Sequence, residues 1–136
     1  MSKLLVVFFA GSLMFLVNVC VGLVFQYFLP QIKIEYENHN LFRAFNDPLM
    51  SLVILHPFIV ALILAWIWDI VKMVLPYDNL LKKGLFFGLL YWLVSLPGML
   101  ISYGTFPISI FLILNWSVGI LVQALCCGIV FSRFLK

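Results

Sequence analysis

The sequence predicts an all-α membrane protein: an antiparallel bundle of four transmembrane helices, forming one integral domain over residues 1–136. Three observations predict it. Hydrophobic residues make up 65% of the chain and charged residues only 10%, whereas a soluble domain carries about a quarter charged. Four apolar runs, at about 4–29, 48–72, 84–103 and 107–131, are long enough to cross a hydrocarbon layer of about 30 Å. Most charges stand at the ends of those runs or in one connection. The net charge of +3 therefore reads as topology. No basic patch interleaved with aromatics is present, so the expected partner is the lipid bilayer and no nucleic acid is expected.

The first span, 4–29, follows Lys3 and is interrupted only by Asn18, Gln26 and small residues. A cleavable signal has an apolar core of about 7–15 residues and an A-x-A-like site. This run is longer and lacks such a site, so it reads as a retained span. Gly11, Asn18, Gly22 and Gln26 share one helical face, which is expected to point into the bundle. Residues 30–47 form the long connection and carry Lys33, Glu35, Glu37, Arg43 and Asp47. Within it, Leu41-Phe42-Arg43-Ala44-Phe45 reads either as an interfacial segment or as a solvated loop.

Asp47-Pro48 suits a helix start, an N-cap oxygen followed by a proline whose missing N–H is not needed. The second span, 48–72, contains Pro57, which is expected to kink it. Trp66 and Trp68 are expected at the interface, where amphipathic rings prefer to lie. Asp69 and Lys72 are spaced to pair, which favours an interfacial ion over a proton carrier at Asp69.

Asp78 or Asn79 can cap the third span, 84–103, with Lys82 and Lys83 at the headgroups. Gly84, Gly88, Tyr91, Ser95, Gly98 and Ser102 fall within one narrow arc of this helix. In hydrocarbon nothing is gained by hiding leucine from lipid, so helices associate through close packing along such small faces. Gly84 and Gly88, in G-x-x-x-G spacing, and Gly98 are accordingly expected to pack against protein. Pro97 lies opposite that face and is expected to kink the helix. A chargeless turn at 103–107 leads to the fourth span, 107–131, where Asn115, Gly119, Gln123 and Cys126 share a face, with Gly119 as its packing position. The Asn115-Trp116-Ser117 match to a glycosylation acceptor lies inside this span and carries no meaning there.

Six basic residues, Lys3, Lys72, Lys82, Lys83, Arg133 and Lys136, fall on one side of this arrangement, and two, Lys33 and Arg43, on the other. That asymmetry places both termini in the cytoplasm. Cys20, Cys126 and Cys127 lie inside apolar runs without CxxC spacing and read as small core residues. No cofactor is expected.

Lys83-Gly84-Leu85-Phe86-Phe87-Gly88, Pro97, Tyr103, Pro107-Ile108-Ser109, Trp116 and Gly119-Ile120-Leu121-Val122-Gln123-Ala124 carry a resemblance, joined by Leu41-Phe42-Arg43 ahead of Asp47-Pro48. The chain resembles a family of small bacterial four-helix integral membrane proteins over about two-thirds of its length. The resemblance implies a four-span fold and a bacterial origin, hence a multi-pass protein of the cell inner membrane. Its motifs are turn and packing motifs, and it brings no established activity.

Depth groups four polar side chains. His56 and Asn115 each lie eight residues beyond the proline that opens their span, about 12 Å along the axis. Ser95 lies eight residues before Tyr103, and Asn18 eleven before Leu29. Asn18, His56, Ser95 and Asn115 are therefore expected in one outer-leaflet layer, facing one another or a water-filled cavity. The plainer reading is that they fix the register of the bundle through hydrogen bonds of about 0.6 kcal/mol each. The other is a hydrated or ligand-holding cavity with His56 as its titratable centre. No histidine, carboxylate or cysteine recurs at ligand spacing beside His56, so no metal is expected.

Proton-coupled multidrug carriers of this size use an acidic residue deep in the first span, and quinone-linked thiol oxidoreductases use a CxxC; the chain has neither. Ser95 and His56 share a level, but no oxyanion hole can be argued beside them. The first expectation is thus a non-enzymatic accessory or assembly component, touching another membrane protein through helix–helix contacts. The alternative is a small oligomeric transporter or channel that uses the polar layer, and the third is a membrane enzyme or binder of a lipid or quinone. Ala61 and Ala65 form a small-xxx-small pair on a different face from His56. With His56 turned inward, that pair is expected to meet a second copy across a two-fold axis, although alanine also tolerates lipid.

Overall fold

The computed structural model describes residues 2–135, and Lys136, counted above among the basic residues, lies outside them. The chain forms α1 (Lys3–Phe28), α2 (Gln31–Tyr36), a 3-10 turn at Pro48–Met50, α3 (Ser51–Val71), α4 (Leu80–Thr105) and α5 (Ile110–Phe134). There is no strand among the described residues. Four helices, α1, α3 with its preceding turn, α4 and α5, are long and apolar enough to cross a membrane. The chain is thus built as a multi-pass membrane protein, all-helical as its composition requires.

Each spanning segment starts on a side-chain cap, that of α3 at its preceding 3-10 turn, because first-turn N–H groups have no partner within the helix. Ser2 Oγ accepts from the Leu5 amide at 3.4 Å, Asp47 Oδ1 from Leu49 at 2.8 Å, and Ser109 Oγ from Leu112 at 3.2 Å. Asn79 Oδ1 accepts from both Leu81 and Lys82, at 2.9 and 3.2 Å. These caps move two boundaries. Asn79 starts α4 at Leu80, one turn before Gly84, and Ser109 delays α5 to Ile110 rather than Pro107. The Leu49 amide, with Arg43 beside it, holds the Asp47 carboxyl below the usual carboxylate range. Helix α3 runs on through Pro57 and α4 through Pro97.

Helix α5 is the centre of the bundle, packed along α4 on one side and α1 on the other, while α1 also packs along α3. The order in space is α3, α1, α5, α4, an arc with a groove between its two ends. Gly84 lies against the Gly128 carbonyl, and a Cβ at Gly88 would stand 2.5 Å from the Ala124 carbonyl oxygen. Farther along, the Trp92 indole donates to the Ser117 carbonyl and hydroxyl, both at 3.1 Å. Residue numbers therefore rise along α4 as they fall along α5. Gly98 does not join this seam, since nothing lies within 4 Å of a Cβ placed there. The buried residue is Met99 instead: one step is about 100° of rotation, enough to turn its neighbour Gly98 away from α5.

Ala61 and Ala65 are each 0% exposed, in one apolar cluster with Val6, Val7, Ala10 and Met14 of α1. The small pair thus makes the α1–α3 contact inside the chain, and this face cannot receive a second copy. Methyl groups here let the two backbones approach, as does Gly11, whose Cβ would lie 2.6 Å from the Phe58 ring. His56 is exposed, while its neighbour Pro57 is buried.

One end of the arc is closed by aromatic packing, and we call it the base. There the Trp68 ring meets Phe87 edge-on at 5.3 Å, and Phe87 meets Phe131 at 6.5 Å. Trp68 is 1% exposed and donates its indole N–H to the Leu135 carbonyl at 2.9 Å, so it is a core residue rather than an interfacial one. Trp66 is exposed. Asp69 pairs with both Lys3 and Lys72, and Lys83 Nζ donates to the Lys72 carbonyl at 3.0 Å. Helices α3 and α4 scarcely meet beyond this plug.

Candidate functional site

Above the Gly11–Phe58 contact, α1 and α3 part. Residues 51–56 of α3 are all exposed, as are Val19 and Leu23 on the facing stretch of α1. Between them lies a chamber of about 670 Å³. Gly22 and Gln26 of α1, Val53 of α3, and Asn115 and Trp116 of α5 line it, with Phe42 and Arg43 above. A Cβ at Gly22 would meet nothing within 4 Å. The α1 face carrying Gly11, Asn18, Gly22 and Gln26 thus packs at Gly11 and opens onto space at Gly22.

The roof comes from the connection between α1 and α3, which folds back onto the start of α5. Ile32 is fully buried, in a cluster with Ile108 and Leu112. Glu35 Oε2 accepts from the Ser109 amide at 2.9 Å, beside the N-terminus of α5. The Tyr36 hydroxyl accepts from the Trp116 indole at 2.7 Å and from Asn115 Nδ2 at 3.4 Å. Burial pushes the Tyr36 phenol up from its ordinary pKa, with the Trp116 and Asn115 hydrogen bonds acting the other way. Phe42 lies between the Tyr36 and Trp116 rings, at 5.3 and 6.3 Å. Leu41 and Phe42 are therefore packed, while Arg43 and Phe45 are exposed. Arg43 is held by Asp47 at 3.0 Å.

A second cavity, of about 170 Å³, adjoins the chamber on the side toward the base. The two share Asn18 and Trp116. Met14, His56, Tyr91 and Gln123 complete most of its wall, so all four long helices contribute. Gln123 Nε2 donates to Asn18 Oδ1 at 3.0 Å. Gly119 makes room for that pair, since its Cβ would stand 3.3 Å from Asn18 Oδ1.

The four polar residues expected in one layer are thus distributed over three places. Asn18 and His56 line the smaller cavity, while Asn115 is engaged by Tyr36 at the chamber's rear. Ser95 donates to the Trp92 carbonyl of its own helix at 2.6 Å and lines neither space. Equal counts from each opening proline do not give a common partner: Asn115 turns to Tyr36 of the connection, and Ser95 bonds its own helix. Gln123 and Tyr91 were visible as members of polar faces. Tyr36 and Trp116 were not, because nothing in residues 30–47 signals that the connection folds inward.

Among the described residues, no group of three His, Cys, Asp or Glu side chains is placed to hold a metal ion. Cys20, Cys126 and Cys127 are all free thiols. No protein-family model, curated protein or solved structure matches the chain, so the reading of this site rests on its geometry.

Proposed function

We propose that the protein is an antiparallel four-helix membrane protein, with both termini in the cytoplasm of a bacterial cell, that holds a lipophilic molecule from the outer leaflet. The observation that carries this reading is the parting of α1 and α3 around the 670 Å³ chamber. Its size falls within the range of small-molecule sites, roughly 300–1,000 Å³, and its walls are mostly apolar with a few polar groups, the usual make-up of such sites. In a bilayer its open side faces acyl chains, so an apolar ligand can enter without crossing water. Trp68, Phe87 and Phe131 fill the base, which argues against a continuous transport path.

Topology rests on charge. Among the described residues the base side carries Lys3, Lys72, Lys82, Lys83 and Arg133, against Lys33 and Arg43 at the capped end. The reversed numbering of α4 against α5 supports the antiparallel course. Introduced cysteines at Glu37 and Asn79 in intact cells are expected to label from outside at position 37 and to be protected at 79. Labelling in the opposite sense would invert the topology and put the chamber in the inner leaflet.

Binding is tested with the Gly22→Phe protein. Its ring enters open space in the chamber rather than the packed core, so the fold is kept while the site is filled. Lipid extracts of the purified protein are expected to contain a stoichiometric lipophile that Gly22→Phe lacks. The same lipid complement in both proteins would remove the proposal. The accessory reading stands second, favoured by the open α4 surface around Gly98, where another helix can approach closely.

A further inference from the structure

The smaller cavity identifies which end of the ligand goes where. Three of the residues that line it carry polar groups that no described residue satisfies: the His56 ring, the Tyr91 hydroxyl and the amide nitrogen of Asn18. Asn18 uses only its oxygen, on Gln123. These groups belong to membrane-spanning helices, where an unpaired polar group is costly. All three residues line one small space, and that space adjoins the apolar chamber, with Asn18 and Trp116 bordering both.

No Asp, Glu, Lys or Arg lines the smaller cavity. A charged headgroup would lose its hydration there without a counter-charge, so phosphate and ammonium heads are excluded. The Asn18 amide, the Tyr91 hydroxyl and an imidazole N–H can each donate, so the matching head is an uncharged acceptor. Its size is limited to about 170 Å³, and Trp116, Tyr91 and Met14 offer flat or polarisable surfaces to a ring.

We propose that the cavity takes the ring of a quinone, its carbonyl oxygens accepting from Tyr91, Asn18 or His56 while its apolar tail lies in the chamber. The proposal rests on the chamber being a lipophile site, and it concerns binding alone. A phospholipid seated with its head at Arg43 would leave the inner polar groups unmet. Arg43 is moreover already paired with Asp47.

The test is equilibrium binding of decylubiquinone to the full-length protein in phosphatidylcholine nanodiscs, read by quenching of tryptophan fluorescence. Tyr91→Phe and His56→Ala remove groups that have no protein partner, so both variants are expected to keep the wild-type melting temperature. Each is expected to weaken quinone binding by about 3- to 10-fold, the loss of one hydrogen bond. Gly22→Phe, which blocks the tail, is expected to abolish it.

A chain-only probe, the hydrocarbon 1-phenyldecane, separates the two proposals. If 1-phenyldecane binds, Gly22→Phe prevents it, and decylubiquinone binds no better, the chamber reading holds and the quinone head is wrong. Quinone binding unaltered by both Tyr91→Phe and His56→Ala also overturns the head assignment, leaving those groups to water. Failure of both probes with the wild-type protein overturns the two proposals together.

Discussion

Gly88→Val and Gly128→Val proteins are expected to lose the α4–α5 pairing and with it most of the folded population. At Gly88 the added Cβ alone would stand 2.5 Å from the Ala124 carbonyl oxygen, and Gly128 faces the Gly84 backbone as closely. The obstructing atoms are main chain, which cannot swing aside as a side chain can. Overpacking a core costs about 1–3 kcal/mol even where side chains can rearrange, so about 3 kcal/mol or more is expected for either substitution. Unfolding titrations in mixed micelles measure it. Gly98→Ala supplies the contrast: the site is open, and replacing an interior helical glycine stabilises by up to about 1 kcal/mol. If Gly88→Ala and Gly98→Ala shift stability alike, the close approach of α4 and α5 is not as described.

Tyr36→Phe is expected to release the roof. The change keeps the ring against Phe42 and removes a single oxygen, but that oxygen serves both the Trp116 indole and the Asn115 amide. Asn115 is only 5% exposed, so its donor is left with little access to water. A buried donor without a partner costs about 1–3 kcal/mol. A loss of about 2 kcal/mol is expected, concentrated in the connection rather than spread over the bundle. Hydrogen exchange should quicken in residues 31–45 while the α4–α5 seam stays protected. Unchanged exchange in that segment would mean the tyrosine does not anchor it.

Much of the fold was legible because bilayers restrict what a chain can do. Long apolar runs have one outcome, and Asp47 and Asn79 do cap the second and third spanning segments, whereas Ser2 and Ser109, the caps of the other two, were not read as such. The glycine face of the third span was legible as far as Gly88. Its continuation to Gly98 was not, since an arc drawn on a helical wheel does not tell where the neighbouring helix follows it. Ala61 and Ala65 show the same limit: spacing reveals a surface made for close approach, and only the tertiary arrangement reveals that the approaching surface is α1.

The site was less legible, for a reason particular to its construction. Gln123 and Asn18 meet across 105 positions of sequence, and the roof joins Tyr36 to a residue 80 positions away. Local pattern carries no trace of such pairs. Polarity inside a span did point to Asn18, His56 and Asn115, because hydrocarbon makes any such residue exceptional. It could not tell that Asn115 would be satisfied by Tyr36 of the connection while His56 would not.

The position of α5 at the centre of the arc has a consequence for how the molecule is made. The ribosome delivers α1, α3 and α4 before α5, yet α4 finds its extensive contact only with α5. Until that fourth segment is made, the small seam of Gly84 and Gly88 has no partner and α4 touches α3 only at the base, although α1 and α3 can already pair through Ala61 and Ala65. A chain that ends before α5 therefore keeps the α1–α3 pair but leaves the packing face of α4 uncovered. The last segment is the keystone, the one helix that joins α4 to the α1–α3 pair along its length.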